Sequence, residues 1–223
     1  MNPSRKAAPA RKSKSNRQGR KPAISRQDIV DAALQLLGPH RSVATLSLRE
    51  VARAAAIAPN SFYRHFQSID ELAVALIEQA GQSLRDLIWK ARSRVGAGES
   101  VIRASVETFL QQLQSDKHYL HLLLREGAVG SAAFKQAVER QLEFFEKELQ
   151  TDLVRLAAAS NTPIHNAELV SRAITRLVFS MGTSAMERPP AEHPKLIDDV
   201  TDMIRTIMVG TETLAMQNAP SPR

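Results

Sequence analysis

From Ser25 to about Met216 the apolar side chains return at helical spacing almost without interruption, and no stretch alternates apolar with polar between hairpin turns. A period near 3.6 residues rather than 2 predicts an all-α chain. The stops between stripes divide it into about nine helices. Ile29, Ala33, Leu36 and Leu37 form the first stripe, capped by Ser25 with Asp28 and closed at Gly38-Pro39. Ser47-Leu48-Arg49-Glu50 is a capping box, and the helix it opens is expected to bury Leu48, Val51, Ala52 and Ala55. After a break near Ala56, a helix of about eight residues is predicted from Pro59 to Phe66, with Pro at a first-turn position. A second capping box, Ser68 to Glu71, opens a long helix through Leu72, Leu76, Leu84 and Leu87 towards Arg94, which Gly96-Ala97-Gly98 should end.

The stripes continue beyond it. Ile102, Val106, Phe109, Leu110 and Leu113 form one, and Leu120 to Leu124 belong to a short, mostly buried segment. Phe134, Val138, Leu142, Phe145 and Leu149 run along a helix of nearly thirty residues ending around Ala159. Leu169 to Met186 and Leu196 to about Met216 follow, split by Arg188-Pro189-Pro190. The expected architecture is a three-helix head over residues 25–67 on a six-helix body over 68–217. Residues 1–24 form a basic arm, too poor in bulky apolar groups to fold alone, and 218–223 a tail.

Charge separates the two parts. Residues 1–66 carry thirteen Lys and Arg against three acids, a net +10, whereas residues 67–223 carry a net −3. A basic end on a mildly acidic body suggests a polyanionic partner. An anionic membrane surface is the competing partner, but it calls for an amphipathic helix with large apolar residues. Residues 1–23 offer only Met1 of that kind, so nucleic acid is preferred. No uncharged stretch is long or apolar enough to cross a bilayer. No secretory signal is visible either, and a cytoplasmic location is expected. The absence of cysteine excludes disulfides, thiolate metal sites and Cys nucleophiles.

Ser47 to Phe66 has the proportions of a helix–turn–helix, whose second helix enters the major groove while the first crosses the backbone. With Leu48, Val51, Ile57, Phe62 and Phe66 inward, Asn60, Ser61, Arg64 and His65 point outward with Tyr63 beside them. Asn suits adenine, while Tyr, His and Ser suit phosphate oxygens. Ser47 and Arg49 on the first helix and Arg20 and Lys21 in the arm complete the candidate DNA-binding set. Two readings of the Arg17-to-Pro22 segment stand: a minor-groove arm, or a solvated tail adding nonspecific attraction. A helical hairpin of these proportions also occurs in proteins that never touch DNA.

The stretch Leu46-Ser-Leu-Arg-Glu-Val-Ala-Arg53, Ala58-Pro-Asn-Ser-Phe-Tyr-Arg-His-Phe66 and Asp70-Glu-Leu72 resembles the N-terminal domain of TetR-family repressors. The resemblance implies phosphate contacts from Tyr63 and His65 and base contacts from Pro59, Asn60 and Ser61. One departure is Ala56, at a turn position usually filled by Gly, costing about 1 kcal/mol if left-handed. In the body, Ser100-Val-Ile-Arg103, Leu122-Leu-Leu-Arg-Glu126, Ser131-Ala-Ala-Phe134 and Val178-Phe-Ser180 resemble TetR-type repressors of unsaturated fatty acid synthesis. That likeness implies a long-chain acyl thioester (acyl-CoA) as regulatory ligand, with saturated and unsaturated chains acting differently.

An acyl tunnel needs apolar walls, and Phe109, Leu113, Leu123, Phe134, Phe145 and Phe179 can supply them, although such stripes usually form plain core. Phe144 beside Phe145 hints at extra lining. Arg125 and Glu126 form either a structural ion pair or the tunnel mouth. Leu169, Ala173, Leu177, Ser180 and Ser184, with Leu196, Val200, Met203, Ile207 and Gly210, make narrow stripes suited to a four-helix interface. A palindromic double-stranded operator read by such a homodimer follows from the symmetry of the motif. His118 and His121 lack a third metal ligand, and no catalytic motif is visible, so neither a cofactor nor an enzyme is expected. The rivals are a repressor sensing another hydrophobic molecule and a nonspecific nucleic-acid-binding protein.

Overall fold

The computed structural model describes residues 24–38, 41–94, 101–115 and 118–218. Among them are nine α-helices and no strand. The arm with Arg20 and Lys21, the glycines at 96 and 98, and residues 219–223 lie outside the described residues. The head consists of α1 (Arg26–Gln35), α2 (Leu48–Ala54) and α3 (Pro59–Phe62). The body consists of α4 (Ile69–Arg94), α5 (Val101–Gln111), α6 (Tyr119–Val129), α7 (Ala132–Ser160), α8 (Ala167–Met186) and α9 (His193–Gln217).

The caps set these boundaries. At α1, Asp28 N–H donates to Ser25 Oγ (3.1 Å) while Ser25 N–H donates to Asp28 Oδ2 (2.7 Å). Ser47 and Glu50 exchange the same pair at α2, at 3.3 and 3.2 Å. Ser68 departs from the expected box. Its hydroxyl accepts from Glu71 N–H, but the Glu71 carboxylate reaches one residue further back, to Gln67 N–H at 2.7 Å.

The helix predicted over Pro59 to Phe66 is shorter than expected. Four residues are regular, after which Arg64 N–H and His65 N–H turn to the carbonyls of Ser61 and Phe62 in tighter three-residue steps.

One apolar core runs through both parts, from Ile29 and Phe62 through Leu76 and Leu120 to Ile204. Helix α4 makes it continuous, packing on α1 at one end and on α5, α6 and α7 along its length. Helices α7, α8 and α9 pack in succession, and α9 returns against α5. Helix α4 is therefore shared by head and body.

Candidate nucleic-acid interface and ligand cavity

The turn between α2 and α3 begins at Ala56, whose φ is +54°. Its N–H donates to Arg53 O (3.1 Å) and that of Ile57 to Ala52 O (2.9 Å). This is the Schellman arrangement, with alanine in the left-handed position that glycine usually fills. Phe62 and Phe66 are buried, with ring centroids 5.6 Å apart, and Arg26 lies over the Phe66 ring. That anchorage turns the rest of the segment outward. Pro59, Asn60, Tyr63 and Arg64 are exposed, and Ser61 and His65 half-buried. Tyr63 is 59% exposed, its ring standing edge-on to Phe62.

On α2, Arg49 is exposed. The Ser47 hydroxyl is already committed to the cap, 2.8 Å from Glu50 Oε2. The hydrogen bonds from Ser47 hold the Glu50 carboxyl below its ordinary range, with Arg41 adding to the effect.

Two residues absent from the sequence-derived set belong to this face. Arg53 is exposed one turn beyond Arg49. Arg41 ties the approach to α2: its guanidinium donates to the carbonyls of Leu36 and Thr45, to Thr45 Oγ1 and to Glu50 Oε2, all within 3.3 Å. The i, i+4 spacing to Arg49 could have revealed Arg53. Arg41 left no local signal, because two of its acceptors are backbone carbonyls placed by the chain path.

A cavity of about 430 Å³ opens in the body, walled by α4, α5, α7, α8 and α9. Its buried wall holds Phe109, Phe145 and Phe179. Phe179 meets Phe109 and Phe145 edge-on, at 5.1 and 5.3 Å between centroids. Its exposed rim holds Trp89, Val101 and Leu156, and the Arg92–Asp152 ion pair (2.7 Å) closes one side.

Beyond that pair lies a polar hollow of about 360 Å³, bordered by Arg85, Asp86, Glu148 and Thr151 and sharing Trp89, Arg92 and Asp152 with the cavity. Burial pushes the Glu148 carboxyl up despite Arg85 and Arg92 nearby.

Leu123 and Phe134 lie in the core away from the cavity wall, and Leu113 packs against that core. Phe144 is exposed, with Arg85 over its ring. Arg125 is half-buried on α6 and does not line the cavity. Glu126 is fully buried and faces the head: its Oε1 accepts from Val43 N–H at 3.0 Å. The rings of His118 and His121 meet edge-on at 5.6 Å, and no group of three potential metal ligands forms among the described residues.

The sequence model for bacterial regulatory proteins of the tetR family matches residues 29–76, from within α1 to the first two turns of α4. The matched segment takes in most of α1, all of α2 and α3, and the turn between α2 and α3. Over these residues, and not beyond them, the chain is similar to that family.

Solved structures share the whole fold at low identity. A transcriptional regulator from Rhodococcus sp. RHA1 is 18% identical, with 85% of this chain and 98% of that one covered and a TM-score of 0.64. The multidrug binding protein EbrR, complexed with imidazole, is 17% identical (89% and 96% covered, TM-score 0.59). The fatty acid degradation regulator FadR from Bacillus halodurans is 15% identical (82% and 91% covered, TM-score 0.57).

Helices α8 and α9 leave apolar side chains uncovered within a single chain. Leu169, Met203, Val209, Leu214 and Met216 are exposed, as are Ala173, Ser180 and Gly210, with Leu177, Ser184 and Ile207 half-buried. Leu196 and Val200 depart from the expected interface stripe. Each is 1% exposed within a single chain, on the side of α9 turned to the core. No described helix is long and apolar enough to span a membrane.

Proposed function

We propose that the chain is a homodimeric repressor whose affinity for a palindromic operator is set by a long-chain acyl thioester, and that it controls genes of unsaturated fatty acid synthesis. The two protomers pair through α8 and α9. Asn60, Ser61 and Pro59 meet base edges, while Tyr63, His65, Arg64 and Arg49 meet phosphates, with Arg20 and Lys21 of the arm assisting. The observation that carries the ligand reading is the apolar cavity. It is of ligand size, and α4, which bears the head, forms one of its walls. A straight and a kinked chain fill such a space differently. Only a ligand that prefers one separation of the heads can shift operator affinity.

The test is fluorescence anisotropy of labelled DNA from the gene's own upstream region, at fixed salt, with palmitoyl-CoA, oleoyl-CoA or neither. Opposite shifts by the two thioesters support the reading. Specific binding indifferent to both retains the repressor and removes the fatty-acid assignment.

A second reading draws on the polar hollow, where Asp86, Glu148 and Asp152 outnumber Arg85 and Arg92. That balance favours a neutral or cationic amphiphile over the phosphates of CoA. Release of DNA by dodecyltrimethylammonium at submicellar concentration, with no response to either thioester, would select it.

A further inference from the structure

Three leucines, Leu122 to Leu124, are followed on α6 by the half-buried Arg125 and then by Glu126, which is as fully buried as any leucine in the core. A core built for stability alone would use an apolar residue there, because an enclosed carboxylate loses its hydration. One Glu126 oxygen is 3.0 Å from Val43 N–H, eighty-three residues away in sequence, and the other is enclosed without a hydrogen-bond donor among the described residues. Val43 opens the short 3-10 turn Val43–Thr45, which delivers the chain to the α2 cap at Ser47. The body therefore holds the head at a second point besides α4.

The middle of α6 lies next to the cavity wall. On α8, a Cβ placed at Gly182 would lie 2.8 Å from Cε1 of Phe109 and 3.3 Å from Cδ1 of Leu124. Phe109 is cavity wall, and Leu124 sits two residues before Glu126. Close-packed side chains without slack transmit displacement rather than absorb it. Phe109 and Leu124 thus both crowd Gly182, and α6 carries Leu124 together with Glu126, which holds Val43 of the head.

We infer that Glu126 is the positioning residue through which cavity occupancy sets the pose of the head. A ligand that displaces Phe109 shifts α6, and the Glu126–Val43 bond carries the shift to the turn that aims α2 and α3. The inference rests on the reading of the cavity as the ligand site.

Glu126→Leu removes the acceptor. Val43→Pro removes the donor at a first-turn position that tolerates proline. Glu126→Gln keeps an acceptor and serves as the rescue. Two titrations with palmitoyl-CoA and oleoyl-CoA are made on the full-length chain: Trp89 fluorescence for binding at the rim, and operator anisotropy for response. Allosteric couplings typically change affinity about 5- to 150-fold. Glu126→Leu and Val43→Pro should each reduce the wild-type response to within about twofold while Trp89 titrates normally, and Glu126→Gln should retain it. A full response in both disrupting variants overturns the inference.

If neither thioester titrates Trp89 in the wild type, the ligand assignment has failed, and hydrogen exchange without ligand decides the latch. Amides of residues 41–54 should exchange about tenfold faster in Glu126→Leu, recover in Glu126→Gln, and leave α8 and α9 unchanged. Exchange unchanged in the head, or raised uniformly along the chain, overturns it.

Discussion

Ala56 gives a test in which two neighbouring alanines must respond oppositely to the same substitution. Its φ of +54° puts the methyl group against the following carbonyl, a strain of about 1–2 kcal/mol that glycine does not suffer. Glycine in exchange loosens the unfolded chain, at a cost of about 0.4–1 kcal/mol. Ala56 is exposed, so no packing is lost with its methyl group. The balance for Ala56→Gly is a stabilisation of about 0.5–1 kcal/mol, a rise in Tm of roughly 1–4 °C for a chain of this size.

Ala54 is also exposed, but it lies in the last regular turn of α2, where glycine costs about 0.5–1 kcal/mol. Urea unfolding at one fixed protein concentration, with unchanged slope, should move the midpoint up for Ala56→Gly and down for Ala54→Gly. Midpoints lowered alike would refute the left-handed assignment of Ala56, and with it the turn geometry that aims α3.

Three further outcomes are expected. Arg49→Ala and Arg53→Ala should each flatten the dependence of log affinity on log salt by about 1 while leaving sequence preference intact, whereas Asn60→Ala should cost about 1–3 kcal/mol on the specific operator alone; both are read from anisotropy across a salt series. Gly182→Ala should turn the Phe109 ring into the cavity, weakening thioester binding in the Trp89 titration and costing about 1–3 kcal/mol in urea, and unchanged thioester affinity would contradict the close contact at that position. In acid, Glu139 is held below its ordinary 4.5 chiefly by hydrogen bonds from Arg176, and Glu50 by those from Ser47. Folded-state values lower than unfolded ones mean stability that is present above 4.5 and lost as pH falls below it, so Glu139→Gln should make the acid limb of the urea midpoint shallower. Glu148, raised by burial, acts with the opposite sign, losing stability as pH rises from 4.5 through its folded value.

The parts of this molecule that were legible in the sequence are those written in local chemistry. Capping serines and apolar period place α1, α2 and α4 close to their observed limits, and a proline at a first turn places the start of α3. Phe62 and Phe66, four residues apart on the buried face, turn Asn60, Tyr63 and Arg64 outward. Local chemistry also misleads where tertiary contacts compete with it. The Glu71 carboxylate prefers the Gln67 amide to that of Ser68, and α3 tightens after Phe62 instead of running to Phe66. Leu196 and Val200 share a helical stripe with Met203, yet α9 rotates them into the core and leaves Met203 outside, because the period alone does not say which apolar face a neighbour covers.

The same limit applies to the cavity. Phe109, Phe145 and Phe179 line it while Leu123 and Phe134 do not, although all five are buried apolar residues on helical stripes. What separates them is the distance between helices, a property of the packed body that no stripe encodes. Glu126 is the instructive residue. Its sequence signal, an acid two residues beyond a run of leucines, marked it as unusual but allowed both an ion pair and a tunnel mouth. Its observed partner is a backbone amide eighty-three residues earlier, a group that every residue except proline carries and that no side-chain pattern can identify. This second tie between body and head is therefore made where sequence reasoning is weakest, at a main-chain donor, and variants that remove the acceptor or the N–H itself are the way to reach it.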